Sequence, residues 1–166
     1  TIGALGAILT VMAEDPGVRV PVIMYHAVMD DASRLGKYVI SPEELESDFK
    51  WLSENGYTAI LSEDLINYTE NGAALPEKPI LLTFDDGYYN NYLYAYPTAK
   101  PYGMKFVLSP IGKYADLYTE TPDKSPYYAH CTWDMLREMQ SSGVVEIANH
   151  TYDLHSSDGA RLGTKQ

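Results

Sequence analysis

Short apolar, β-rich runs alternate along this chain with segments that have helical periodicity, and this alternation constrains the fold more than any other feature. The runs predicted to be strands are residues 18–25, 57–61, 80–84, 104–109 and 144–148. The segments predicted to be helices are residues 42–55, 63–71, 88–100 and 133–140. Strands that alternate with helical crossovers pair in parallel, because each crossover returns the chain to the same end of the sheet. The sequence therefore predicts an α/β fold.

The best-marked helix starts at Ser41, whose side chain can cap it. Pro42 suits the first turn, and Glu44 stands where a capping box places its acidic residue. Apolar side chains then recur at i, i+4 and i+7, and Gly56 ends the helix. Ser62 and Thr132 are predicted to cap two further helices.

Two other segments carry weaker signals. Residues 18–25 are almost all apolar without alternation, which predicts a strand covered on both faces. Residues 114–129 contain three tyrosines and two prolines before the next clear helix start, which predicts a long loop.

Charge narrows the classes of partner. The 166 residues include 12 basic and 23 acidic side chains, for a formal net charge of −11. This excess of negative charge excludes nucleic acid and anionic membrane surfaces as the favoured partners and fits a neutral substrate better. The single cysteine, Cys131, cannot form an intramolecular disulfide, so the cysteine content does not indicate a compartment.

The first 13 residues carry no charge, and residues 14–17 form a polar break before the first strand. This apolar run is shorter than the roughly 20 residues of a membrane-spanning helix. We expect residues 1–17 to be a leader, as the remnant of a signal peptide or membrane anchor, or alternatively a buried or unstructured extension. The domain proper is expected to comprise residues 18–166.

Acidic and imidazole side chains follow two of the predicted strands. Asp85 and Asp86 come directly after one strand and are followed by Gly87, while His150 comes just after another, with His155 five residues on. Sites in parallel α/β folds form at the carboxyl ends of strands, so the two clusters are expected to share one rim of the sheet. Histidines and a carboxylate with an open position are a hydrolytic metal arrangement. The second carboxylate would remain available as a base.

Each cluster also has a simpler interpretation. An Asp-Asp-Gly sequence after a strand is often a turn or a helix cap. Two nearby histidines are often surface or core residues. The placement of both clusters at strand ends is what favours a site.

Three segments together resemble one family. Residues 83–87 (Thr-Phe-Asp-Asp-Gly) resemble the first motif of the polysaccharide deacetylases, the NodB-homology or carbohydrate esterase family 4 enzymes. Residues 150–155 (His-Thr-Tyr-Asp-Leu-His) resemble their second motif. Residues 21–28 are similar to the opening strand of the branch that includes bacterial poly-N-acetylglucosamine deacetylases. The resemblance covers roughly residues 18 to 157.

The resemblance implies an irregular (β/α) barrel and a role for each motif residue. Asp85 would be the general base, and Asp86, His150 and His155 would bind one divalent metal ion. Thr151 would support the metal-binding loop. The ion is usually zinc in this family, with cobalt, nickel or manganese as alternatives. The implied reaction removes N-acetyl groups from an amino-sugar polymer, and the implied location is the bacterial cell envelope.

Three further residues are candidates for contact with the glycan. Tyr88 and Tyr89 adjoin the aspartates, and aromatic faces can stack on sugars. His26 ends the first strand and would line the same rim. Packing of the tyrosines and a hydrogen-bonded core position for His26 are the alternatives.

The family's later motifs are absent from the eleven residues that follow His155. These motifs are an Arg/Pro/aromatic wall that orients the base and a Leu-x-His stretch that supplies the general acid. We therefore expect the chain to be truncated at its C-terminus and poorly active by itself. An O-acetyl esterase acting on xylan, a non-catalytic glycan-binding relative and a purely structural domain are the alternative functions.

Overall fold

The main sheet of the computed structural model, which describes residues 17–154, consists of five parallel strands. The strands and helices have the following bounds: β1 Val22–Tyr25, β2 Ala27–Val28, β3 Val39–Ile40, α1 Pro42–Glu54, β4 Thr58–Ile60, α2 Ser62–Asn71, β5 Pro79–Asp86, α3 Tyr96–Ala99, β6 Phe106–Pro110, α4 Gly112–Glu120, α5 Trp133–Ser141 and β7 Val145–Ile147. The sheet order is β1-β5-β6-β7, with β4 also paired to β5, and β2 and β3 form a separate parallel pair. The predicted α/β architecture with parallel strands is confirmed. His155 lies outside the described residues, and so does the predicted leader except for its last residue, Gly17.

The core lies between the sheet and the helices packed on one of its faces. Alternate side chains of β5, Leu82 and Phe84, have no exposed surface. The Phe84 ring lies 5.0 Å from that of Tyr25 and 4.6 Å from that of Phe106, so aromatic contacts join β1, β5 and β6. Phe49 of α1 belongs to the same buried cluster.

The expectation that the first strand is covered on both faces is wrong. β1 is four residues long, and its side chains alternate between the two faces. Tyr25 packs into the core, whereas Val22 and Met24 are 59% and 55% exposed. Among the described residues, β1 pairs with β5 alone and stands at the edge of the sheet.

The predicted helix caps are confirmed at two of three positions. The Ser41 hydroxyl accepts a hydrogen bond from the Glu44 N–H at 3.1 Å, and the Thr132 hydroxyl accepts one from the Met135 N–H at 3.3 Å. Ser62 is instead the first residue of α2, and the residue before it takes the cap position. There the Asp64 carboxylate accepts from the Leu61 N–H at 2.8 Å, which satisfies the helix end without a capping hydroxyl.

The predicted loop over residues 114–129 is wrong for its first part, because α4 occupies Gly112–Glu120, while residues 121–129 contain no helix or strand. The helix begins after Ile111, which provides no side-chain cap, so the sequence carries no start signal. Tertiary contacts hold it in place: the Gly112 N–H donates to the Thr151 carbonyl at 3.1 Å, and Ala115 is 1% exposed.

The predicted helix over residues 88–100 is present but changes its winding. A π-helix covers Asn91–Ala95, α3 follows, and a 3₁₀ turn covers Lys100–Tyr102. Gly103 then ends the segment with φ of 65°, a left-handed conformation that glycine commonly supplies at helix ends.

Within residues 17–154, no helix combines the length and the apolar character needed to cross a membrane.

Candidate active site

The two aspartates are the last two residues of β5, which runs two residues further than predicted. Asp85 is in register with Ser109 of β6, and Asp86 with Pro110. Successive side chains of a strand point to opposite faces, so the two carboxylates diverge from adjacent positions.

Each carboxylate faces a different imidazole. His26, which follows β1, places Nε2 at 3.8 Å from Oδ2 of Asp85. His150, which follows β7, places Nε2 at 3.5 Å from Oδ1 of Asp86. The Asp85 and Asp86 side chains are 18% and 12% exposed, so both can be reached from solvent while lying largely within the protein. The structure thus brings the strand-end residues together on one rim.

Backbone hydrogen bonds hold the His150 segment against β6 and α4. The His150 N–H donates to the Pro110 carbonyl at 3.1 Å, extending the β6–β7 pairing beyond the last strand residue. The Lys113 N–H donates to the Tyr152 carbonyl at 3.0 Å, and the Lys113 ammonium lies 2.9 Å from the Asp153 carboxylate. The start of α4 therefore fixes the loop that presents His150 to Asp86.

Two residues with strained backbone lie at the Asp86–His150 pair. Asp86 and Thr151 both have φ of 69°, the left-handed region that is uncommon for residues other than glycine. The strain is greater for Thr151 because its side chain is β-branched. Such residues persist where surrounding contacts over-determine them, and they cluster at functional sites. Thr151 also accepts a hydrogen bond from the Leu154 N–H at 3.2 Å, which closes the loop locally.

Gly87 lets β5 approach β6 closely at the site. Its φ is 73°, and a Cβ placed there would lie 2.6 Å from the Pro110 Cβ and 2.8 Å from the Pro110 Cα. Glycine alone fits both constraints, so the last residue of the Thr-Phe-Asp-Asp-Gly motif is required by packing as well as by conformation.

The predicted metal ligands are present only in part among the described residues. Asp86 and His150 form the pair, and the third predicted ligand, His155, lies outside the part of the chain that the structure describes. Within residues 17–154, no three His, Cys, Asp or Glu side chains form a group able to hold a metal ion.

His130 is a site residue that the sequence did not indicate. Three tyrosine rings surround its imidazole, with centroids at 4.6 Å for Tyr88, 4.5 Å for Tyr114 and 5.6 Å for Tyr118. Burial lowers the pKa of His130 to about 4, although the Asp86 carboxylate acts in the opposite direction. The ring is therefore neutral at pH 7. A long-range bridge between Tyr88 and His130 brings it to the site, and no local motif could have revealed that pairing.

Tyr88 links His130 to the metal-ligand candidate. Burial raises the pKa of the Tyr88 phenol, and the negative charge of the neighbouring Asp86 carboxylate raises it further. Tyr88 therefore keeps its proton at neutral pH and can donate it to Asp86 as a hydrogen bond.

Two cavities meet beside Asp86 and Tyr88. One, of about 510 Å³, is lined by His26, Tyr38 and neighbouring residues, and the other, of about 410 Å³, is lined by Tyr114, Tyr118 and His130. Both are also lined by Asp86, Tyr88 and Tyr127. An open groove therefore passes over Asp86, with aromatic rings on either side.

Two residues considered from the sequence do not line this groove. Tyr89 is 7% exposed and stacks on Tyr92 at 6.2 Å, and it lines neither of the two cavities. Cys131 is 1% exposed, and burial raises the pKa of its thiol to about 12, so it is not an activated nucleophile.

Comparison with known proteins identifies the family. Residues 72–162, more than half of the chain, match the family model for polysaccharide deacetylase. This chain belongs to the polysaccharide deacetylase family. The matched region includes Asp85, Asp86, His130 and the whole segment from His150 to His155.

Individual relatives agree with this assignment. The chain is 32% identical over 140 residues to the poly-β-1,6-N-acetyl-D-glucosamine N-deacetylase of Escherichia coli (strain K12), a match that covers 80% of this chain and 20% of the relative. Among solved structures, a de-N-acetylase from Aggregatibacter actinomycetemcomitans is 37% identical with a TM-score of 0.71. IcaB from Ammonifex degensii is 29% identical with a TM-score of 0.69.

These matches cover most of this chain but only part of each relative. The chain spans about a fifth of the E. coli protein. It covers 56% of the Aggregatibacter chain and 57% of the Ammonifex chain, against 82% and 86% of its own length.

Proposed function

We propose that this protein is a metal-dependent deacetylase that removes N-acetyl groups from an amino-sugar polymer. The observation that carries the proposal is that adjacent carboxylates face different imidazoles, with Asp85 3.8 Å from His26 and Asp86 3.5 Å from His150. This arrangement lets one carboxylate bind a metal while the other handles a proton. The family match and the names of the relatives support the same reaction.

The ligand atoms of Asp86 and His150 suit a divalent transition-metal ion. Asp86 offers carboxylate oxygen and His150 offers imidazole nitrogen, which are the ligand types that zinc and its neighbours accept. His155 would complete the set. When bound, such an ion would polarise the acetyl carbonyl and lower the pKa of a water molecule. We propose zinc, with cobalt, nickel or manganese as alternatives.

Asp85 would act as the general base. Its carboxylate is 18% exposed and lies 3.8 Å from His26, which lines the larger cavity, so it can accept a proton from the attacking water. Water would form the new C–O bond and the C–N bond would break, giving acetate and a free amine. The Tyr88 hydroxyl would hold the Asp86 carboxylate in the orientation that ligand binding needs.

The amine leaving group also needs a proton. His26 is a described side chain that can supply one, because its Nε2 lies 3.8 Å from Asp85 and the residue lines the larger cavity. We therefore propose His26 as the general acid, in place of the histidine expected from a later motif. This role goes beyond the substrate contact that the sequence suggested.

The groove on both sides of Asp86 fits a polymer. Tyr88 and Tyr127 line both of its cavities, and their rings can pack against the apolar faces of sugars. A neutral glycan avoids the repulsion that a net charge of −11 would impose on an anionic one.

We further propose that residues 18–166 form the N-terminal and central part of a deacetylase domain, and that residues 1–17 are a leader. The relative named as a poly-β-1,6-N-acetyl-D-glucosamine N-deacetylase supports a polymer of N-acetylglucosamine as the substrate, and we propose a place at the bacterial cell envelope.

Acetate release from N-acetylglucosamine oligomers tests the proposal. The protein is dialysed against a chelator, assayed, and assayed again after addition of zinc, cobalt, nickel or manganese. Metal-restored acetate release supports the proposal, and no release under any condition contradicts it. A parallel acetate-release assay with O-acetylated xylan distinguishes the alternative function. An esterase would release acetate from xylan and leave the amide substrate intact.

A further inference from the structure

Two adjacent asparagines, Asn90 and Asn91, are completely buried, and Asn91 is bonded to His26, which lines the larger cavity of the groove. Buried amides cost free energy unless they are hydrogen-bonded, so side chains of this kind are retained where their bonds are needed. We propose that Asn91, supported by Asn90, is a positioning residue that holds His26 against Asp85. The effect of this positioning on catalysis rests on the proposed function.

Asn91 binds the backbone of the residue that it would position. Its Nδ2 donates to the His26 carbonyl oxygen at 2.7 Å, across 65 residues of sequence. The imidazole of the same residue faces Asp85. A fixed peptide carbonyl limits rotation of the backbone that carries the ring, so the bond restricts where Nε2 can lie.

Asn90 ties the same segment to the opposite wall of the cavity. Its Oδ1 accepts from the Val28 N–H at 3.1 Å and from Asn91 Nδ2 at 3.3 Å. Its Nδ2 donates to the Pro126 carbonyl at 2.9 Å, next to Tyr127. Because His26 and Tyr127 both line the 510 Å³ cavity, the two amides join its walls.

A π-helix begins at the second asparagine of the pair. It covers Asn91–Ala95, directly at the pair, and the Tyr96 N–H closes it onto the Asn91 carbonyl. In a regular α-helix, successive side chains diverge by about 100°. The wider π turn changes this angle, and single π turns are frequent at functional sites.

If Asn91 had a purely structural role, changing it would detach β2 and the residues beside it from the rest of the fold. Backbone hydrogen bonds to β3 oppose that outcome. The Ala27 N–H donates to the Tyr38 carbonyl at 3.1 Å, and the Met29 N–H donates to the Ile40 carbonyl at 2.9 Å. Since β2 is thus held by β3, loss of the Asn91 amide should release the His26 peptide without detaching the strand.

The test is a double-mutant cycle between Asn91→Leu and His26→Ala, measured as metal-dependent acetate release. Leucine keeps the approximate shape of asparagine and removes the donor. Misplacement of a reacting group by 1 Å can cost about 100-fold in rate, so Asn91→Leu should lower kcat by about 10- to 100-fold with little change in KM. In the His26→Ala background, the same substitution should change kcat by less than about twofold.

Two controls separate positioning from loss of stability. Leu52→Ala, in the core of α1, should lower the Tm without lowering kcat at temperatures where the protein is folded. If Asn91→Leu does not fold, Asn91→Ser replaces it, because serine is smaller and cannot span the 2.7 Å contact from the same Cα.

Histidine NMR provides a readout that does not depend on activity. The ring signals of His26 should shift or broaden in the Asn91 variant, while those of His130 stay unchanged. Equal losses of kcat in both backgrounds, or an unchanged kcat and His26 spectrum, would overturn the inference. If the wild-type protein releases no acetate, the proposed function fails, and the NMR comparison still decides whether Asn91 positions His26.

Discussion

Replacing Gly87 with alanine should be one of the most destabilising single-methyl additions at this site. The added Cβ would lie 2.6 Å from the Pro110 Cβ and 2.8 Å from the Pro110 Cα, and the second atom belongs to the backbone and cannot rotate away. Overpacking of this kind costs about 1–3 kcal/mol. The φ of 73° adds about 1–2 kcal/mol for any residue with a Cβ. We expect the free energy of unfolding to fall by about 2–5 kcal/mol.

Gly103→Ala is the matched control. Gly103 has φ of 65°, and a Cβ there would meet nothing within 4 Å. This variant should lose only the conformational part, about 1–2 kcal/mol. The difference between the two variants in urea denaturation therefore isolates the contact with Pro110. In thermal unfolding, each 1 kcal/mol corresponds to about 2–4 °C for a chain of this size.

The Gly87→Ala substitution should also weaken metal binding. Gly87 follows Asp86, and the carbonyl of Pro110 accepts the His150 N–H at 3.1 Å. Any shift that relieves the clash must move β5 and β6 apart, which separates Asp86 from His150. Equal stability of the Gly87→Ala and Gly103→Ala variants, or unchanged metal affinity in Gly87→Ala, would refute this reasoning.

Two other substitutions test the groups around Asp86. Tyr88→Phe removes the hydroxyl that we propose holds the Asp86 carboxylate and should weaken metal affinity by about 10-fold or more, whereas Tyr89→Phe should leave metal affinity unchanged in the same titration. His130 has a pKa of about 4 when folded and 6.5 as a free side chain, so the unfolded chain binds the extra proton between these values. Stability should therefore fall as the pH drops from 6.5 to 4, by about 3 kcal/mol at about 1.36 kcal/mol per pKa unit. Urea denaturation of the metal-free protein should show this loss, and His130→Phe should remove it; the same pH dependence in both proteins would contradict the assignment.

The sequence predicted the fold where local signals were strong. Ser41 and Thr132 cap their helices as expected, because a hydroxyl before a helical run is a local and specific signal. The placement of Asp86 near His150 also followed from the sequence, since both were assigned to the carboxyl ends of parallel strands.

Features that depend on distant contacts were missed. α4 lacks a side-chain cap and is tied to residues 151 and 152 through its first two N–H groups, so residues 114–129 were expected to form a loop. His130 reaches the site through its bridge to Tyr88, 42 residues earlier, and has no motif around it. The exposure of Val22 and Met24 depends on what covers the second face of the sheet, which an apolar run by itself does not reveal.

The central claim, that the two adjacent aspartates have different tasks, is tested most directly by comparing Asp85→Asn with Asp86→Asn. Asparagine tolerates the φ of 69° at position 86, so the backbone strain there is unchanged. Metal affinity and acetate release are measured on both variants. Asp85→Asn should bind metal as the wild-type protein does while acetate release falls by about 100-fold or more, and Asp86→Asn should lose metal affinity. Equal loss of metal affinity and activity in both variants would contradict the account.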